Sequence, residues 1–321
     1  MRKTTKIWLV TAASFVLVGG IILGGVMSML KWDFTKLSTV RYENNEYEIL
    51  EDYQHISIIT NTADIVFIPS EGPTTAVSCC EQKGNMHSVS VKDGTLEIEI
   101  VDTRKWYEYI GINFGTPKIT VHIPQGEYGK LSVQASTGDV EIPKVFKFSS
   151  IDILKSTGNV KNYASALEGV KIKTTTGSIC VEDASAGSLD LTASTGKVTV
   201  SGVICEGDIA VGVSTGKADL SNIRCKNFTS SGSTGDISLK NVVAAEKFFI
   251  KRSTGDVKFD GSDATEIFVE TDTGDVRGGL LTHKIFVAQT DTGSIDVPKT
   301  ATGGKCEITT STGDIDISIK Q

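Results

Sequence analysis

The chain has 321 residues, 32 of them glycine, and a net charge of −7 from 39 acidic and 32 basic side chains. A phosphate-binding surface concentrates Lys and Arg, and no basic tract or aromatic–basic repeat is present, so nucleic acid is excluded as a partner class. Six cysteines (Cys79, Cys80, Cys180, Cys205, Cys225 and Cys306) show no CxxC or His-paired spacing, which argues against zinc and against a disulfide-dense scaffold.

In chain order, residues 1–6 carry Arg2, Lys3 and Lys6, and Ile7–Leu30 follows without a charge. Those 24 residues form a helix of about 36 Å at ~1.5 Å per residue, enough to cross a ~30 Å hydrocarbon core. The basic residues before the span put the N-terminus in the cytoplasm and residues 31–321 outside. A cleaved signal peptide is the rival reading. It calls for a shorter apolar stretch and a small-x-small cleavage site, and no Ala-x-Ala is present.

Residues 31–48, rich in Glu, Asn and Lys, read as a linker. Residues 49–126 read as an irregular β region and cap. Within it, HISIITNTADIVFIP resembles a degenerate coil with Thr62-Ala63-Asp64 in its turn, and TAVSCC, SVSVKDGTLEIEI and KITVHIP read as strands. Asp93-Gly94 is a strong hairpin signal. The segment DTRKWYEYIGINF, with Trp106, Tyr107, Tyr109 and Phe114, is expected to cover an end or side of the domain.

Residues 127–321 carry the dominant signal. At a pitch of 19 or 20 residues Thr-Gly recurs ten times, at Gly138, Gly158, Gly177, Gly196, Gly216, Gly235, Gly255, Gly274, Gly293 and Gly313. Apolar residues stand seven and five before most of these glycines and two and four after them. Spacing of two with β-branched residues describes short strands with one buried face, and no window sustains a helical period. Stacked, the units form an all-β parallel β-solenoid of about ten coils in which each glycine occupies a sharp turn at positive φ. The polar residues Asp314, Asp316, Ser318 and Lys320 of the tenth unit read as a charge-protected open end.

The membrane span, the NTADIVF coil, the ITVHIP strand and LSVQASTGDVEI with its echoes resemble a bacterial adhesin-labelled family of unknown function, LiaG-like, over about residues 50–321. That resemblance implies a membrane-tethered extracytoplasmic solenoid in a Gram-positive-type envelope. Lys197 and Lys217 replace Asp after the turn, so an unbroken Asp ladder is not expected.

The candidate sites are few. Asp236, Asp256 and Asp275, flanked by Asp272 and Asp291, form an acidic corner that a Ca²⁺ could answer, although Asp is also an ordinary turn residue. No metal or cofactor is therefore assigned. His55, His87, His122 and His283 lie in unrelated places with no nucleophile–base spacing, so no catalytic residue is assigned. Cys205 and Cys225 fall at one position in adjacent coils and read as a buried thiol pair, with a disulfide the alternative.

Phe249, Phe268 and Val287 stand six before their glycines and should align as an outward apolar stripe, the candidate partner-binding surface. The resulting expectation is a non-catalytic, membrane-anchored scaffold that binds an unknown envelope component or membrane protein. An accessory regulator of envelope-stress signalling acting through a partner membrane protein is the alternative, and a wall-polymer enzyme comes third.

Overall fold

A computed structural model describes residues 3–38, 40–109 and 115–320. Helix α1 (Lys3–Met29) has almost all of its side chains exposed, with Met27 alone buried. After a 3-10 turn at Phe34–Leu37 the described elements are strands, apart from a second 3-10 turn at Trp106–Tyr109.

Seven strands precede the repeats: β1 (Tyr42–Ile49), β2 (His55–Thr62), β3 (Asp64–Pro69), β4 (Thr75–Gln82), β5 (Asn85–Lys92), β6 (Thr95–Asp102) and β7 (Lys118–Ile123). The NTADIVF segment is a coil: Ile56 and Ile58 of β2 lie beside Leu131 and Val133, and Thr62 beside Thr137. β6 and β7 extend this layer in parallel, against β2 and β3 respectively. Beyond them the pairing turns antiparallel, with β5 on β6 and β4 on β7. That change of hand caps the stack, because antiparallel partners need no further crossover.

Asp93 and Gly94 between β5 and β6 have φ of 49° and 71°, the left-handed pair that a tight hairpin needs. Strand β1 occupies part of the segment read as a linker and pairs antiparallel with β4. Its Asn- and Glu-rich sequence YENNEYEI disfavours a strand on composition, but Tyr47 and Ile49 pack on the core and settle it. Trp106 and Tyr109 form a 3-10 turn and are exposed, so they do not cover the core. Phe114 lies outside the described residues.

The repeats are numbered here as coils one to ten by their turn glycines. Inward residues are buried along most of the stack, as in coil six with Phe228, Ile237, Leu239 and Val242, each at 0% exposure. All ten turn glycines have positive φ, from 115° to 151°. The coils are joined through the turn itself, where the Gly235 amide donates to the Thr254 carbonyl at 2.8 Å.

The stack departs from chain order at one end. The Thr before each glycine climbs in sequence from Thr137 to Thr273, but Thr273 then pairs with Thr312, and Thr312 with Thr292. Strand Gly304–Thr312 of coil ten therefore lies between Glu266–Thr273 of coil eight and Lys284–Thr292 of coil nine. Gly303 and Gly304 make this threading possible: a Cβ on either would overlap the carbonyl oxygen of His283 or Thr265. The end of the rod is thus coil nine. Of the residues expected to protect the free end, Asp314 and Asp316 are covered by coil nine, which corrects that expectation for them, while Ser318 and Lys320 bond, among the described residues, only on the coil-eight side.

Candidate functional site

Four features could carry function. At the distal layer, strand Lys284–Thr292 pairs with coil ten on one side, and no strand among the described residues pairs with its other edge. Ile285 and Val287 are about half exposed. Ile295, two after its glycine, is 45% exposed, where its counterparts Ile237, Val257 and Ile315 are at 0%. Phe286, Ala288 and Val297 are only partly buried. One face of the hydrophobic core is therefore open to solvent, beside a row of unpaired backbone donors and acceptors.

The proposed stripe is only partly continuous. Phe249 and Phe268 lie in adjacent layers and stack at 4.9 Å with an interplanar angle of 8°. Phe268 is next to Glu307, and Glu307 to Val287, because coil ten intervenes. An acidic residue therefore separates Val287 from the aromatic pair. The stripe becomes two patches: an aromatic pair on the side of the rod, and Val287 within the distal layer.

A third feature is an open groove of about 470 Å³ across successive coils, with Tyr128, Phe148, Leu167, Ile204, Lys147 and Glu206 among its walls. Leu167 and Ile204 project from it into solvent.

The acidic corner is built for hydrogen bonding. Asp236 Oδ1 accepts from the Asp256 amide at 3.2 Å, Asp256 from Asp275 at 2.9 Å, and Asp275 from Asp314 at 2.7 Å. Each carboxylate reaches to the next coil, not to its own turn, which is a role that spacing alone does not disclose. These bonds hold the Asp236 carboxyl below its usual range, the ion pair with Lys217 being the largest cause. Where Lys replaces Asp, Lys197 and Lys217 pair with Asp219 and Asp236 at 2.6 and 3.0 Å. Cys205 and Cys225 are buried free thiols in adjacent coils. Burial pushes both thiols up, Cys225 to about 12.

The fourth feature contradicts the reading of the histidines and cysteines as scattered. Cys79 and Glu81 on β4 and His87 on β5 present ligand atoms all within 4.8 Å of one another, and all three residues are buried. Glu81 Oε2 accepts from the His87 amide at 2.7 Å and lies 2.7 Å from His87 Nδ1. Asn45 of β1 donates to Glu81 Oε1 at 2.7 Å, and Thr60 Oγ1 lies 2.9 Å from His87 Nε2. Burial, reinforced by Glu81, pushes the Cys79 thiol up to about 12, so it is no nucleophile.

The Toastrack DUF4097 family matches the chain twice, over residues 53–211 and 205–321. Among solved structures, a candidate adhesin from Parabacteroides distasonis is 8% identical over 85% of this chain and 97% of its own, with a TM-score of 0.44. A candidate adhesin from Bacteroides fragilis is 18% identical over 87% and 97%, with a TM-score of 0.35. A candidate cell adhesion protein from Clostridium sporogenes is 10% identical over 87% and 100%, with a TM-score of 0.19. At these TM-scores the likenesses carry no argument about function. No curated protein matches.

Proposed function

The chain belongs to the Toastrack DUF4097 family, and from that premise we propose that it is a non-catalytic scaffold, anchored in the membrane by α1, whose solenoid binds an envelope component or membrane protein outside the cytoplasm. The observation that carries this reading is the open distal layer. A strand edge with free backbone groups beside half-exposed Ile285, Val287 and Ile295 suits an extended segment of a partner, which would add as one more layer. The tether and the open layer stand at opposite ends of the chain's path, since α1 leads into the antiparallel cap.

Anchorage is supported by the length and apolarity of α1 and by the basic residues before it. Protease added to intact protoplasts is expected to digest the solenoid of the full-length protein. Its protection would place the domain inside. Binding is tested in the same cells with a photo-reactive residue at Val287 and another at mid-rod Lys171. The reading predicts a discrete cross-linked species from position 287 that Ile285→Lys abolishes. Equal yield from both positions would remove the distal layer as the docking surface.

A further inference from the structure

Beneath the surface of the cap, two polar atoms are left over by the hydrogen-bond network. Cys79 Sγ is fully buried and makes no hydrogen bond among the described residues. Asn85, two residues before His87 on the same inward face of β5, keeps a carboxamide oxygen that is buried without a partner. Beside them stand a carboxylate and an imidazole, already oriented. Leaving polar groups unpaired in a core costs on the order of 1–3 kcal/mol each, so two of them on neighbouring strands of the cap require a physical account.

We propose that Cys79, Glu81 and His87, whose ligand atoms lie together in the buried cap, form a site for a zinc-class divalent cation. Thiolate, imidazole and carboxylate are each zinc ligands, and here all three are closed to solvent. Charge balances. A dication with one thiolate and one carboxylate is neutral overall, which a buried site needs. A tetrahedral cation with bonds of roughly 2.0–2.3 Å needs its donors about 3.5 Å apart. The ligand atoms of Cys79, Glu81 and His87, all within 4.8 Å of one another, stand close to that spacing. The Glu81–His87 contact at 2.7 Å opens slightly as the cation takes the place of the proton between them.

The surrounding groups are arranged as a second shell for this purpose. With Nδ1 on the cation, His87 Nε2–H donates to Thr60 Oγ1, the hydrogen bond that fixes a metal-binding tautomer. Asn45 holds Glu81 Oε1 and leaves Oε2 turned to the cation, and Tyr47 OH donates to the His87 carbonyl at 3.0 Å. Asn45 and Tyr47 come from β1, so the strand nearest the membrane helix also closes the site. The cation would rivet β4 to β5, which pair at Gln82–Asn85 and nowhere else. The inference is independent of the distal binding layer, since it concerns the opposite end of the solenoid.

The test uses the full-length protein in detergent, refolded with cobalt(II) as probe and then passed through a desalting column. The proposal predicts about one bound cobalt per chain, with thiolate-to-cobalt absorption in the near ultraviolet that zinc(II) abolishes. Cys79→Ser and His87→Gln, shown folded by circular dichroism, should lose the absorption. Cys80→Ser should keep it. Asn45→Ala should weaken cobalt binding roughly ten- to a hundredfold, as loss of a second-shell partner does. A folded wild-type chain that retains no stoichiometric cobalt overturns the proposal, as does absorption that persists in Cys79→Ser.

Discussion

Gly235 answers to two constraints at once. Its φ of 122° lies where an L side chain is strained, and a Cβ there would overlap the carbonyl oxygen of Gly216 in the coil below. The glycines therefore form a contact column, in which each turn is close enough to the next that only hydrogen fits between them. Gly235→Ala should cost roughly 1–3 kcal/mol, the range for strained backbone, read as a lower urea midpoint. An unchanged midpoint would refute the contact column. A different device sits one corner position away. Arg252 is 1% exposed and donates to Ser230 Oγ at 2.7 Å, and Gly232 in the adjacent coil leaves the space its guanidinium fills. Lys155 is buried too, donating to the carbonyls of Gly138 and Asn159. Burial lowers its pKa to about 8, with Asp139 and Asp64 opposing in part. Between pH 8 and the ordinary lysine value the unfolded chain holds the Lys155 proton and the folded one does not, so the contribution of Lys155 to stability rises with pH across that window, while the raised thiols of Cys79, Cys180, Cys225 and Cys306 pull the other way above about pH 9. Below pH 8 both states are protonated and the slope vanishes. Lys155→Met should make the urea midpoint fall more steeply, or rise less, between pH 8 and 10 than that of the wild type, and parallel pH profiles would show that Lys155 does not titrate in the fold.

The individual coils were legible because strand pattern and turn chemistry agree: alternate apolar residues on either side of a Thr-Gly recur in every unit. The order of the last two coils was not. Gly293 and Gly313 are spaced like every other pair, so the period is blind to which coil lies outermost. Only the Gly303-Gly304 pair, six residues past Val297, hints at a close backbone passage. A buried ion pair helps fix the exchange: Lys284 at the start of coil nine's strand lies 2.7 Å from Asp263 of coil seven, and both are nearly inaccessible. Lys284→Met leaves Asp263 alone in the core and should destabilise by about 3–5 kcal/mol, the range for breaking one side of a buried pair. The double change Lys284→Met with Asp263→Ala should recover much of that loss. A single variant as stable as wild type would show that the pair does not hold the layer. The Cys79–Glu81–His87 cluster was illegible for a related reason. A two-residue hairpin at Lys83-Gly84 would set Glu81 opposite Met86. Instead β5 leaves β4 after one pair to join β6, and the inner faces of the two strands meet across the core.

At the scale of the molecule, a helix apolar enough to cross a membrane is joined to a β-solenoid with one end capped and one end open. The cap arises where parallel stacking gives way to antiparallel pairing, so β4 and β5 close the hydrophobic core, with Trp106 and Tyr109 left exposed. The open end follows from the exchange of coils nine and ten. Had the coils stacked in chain order, the polar outward residues of coil ten would have blunted the edge. With coil nine outermost, Ile285, Val287 and Ile295 are presented instead. The functional reading thus depends on that order, and disulfide trapping in the full-length protein reports it. Phe268 and Glu307 stand at paired positions in adjacent layers, whereas Phe268 and Val287 are separated by one layer. At ~4.8 Å per layer, the first pair is within the Cα distance a disulfide spans and the second, at roughly 10 Å, is beyond it. The account predicts that Phe268→Cys with Glu307→Cys oxidises to an intramolecular cross-link, while Phe268→Cys with Val287→Cys does not. Cross-linking of the 268–287 pair in preference to the 268–307 pair would restore chain order and contradict the open distal layer.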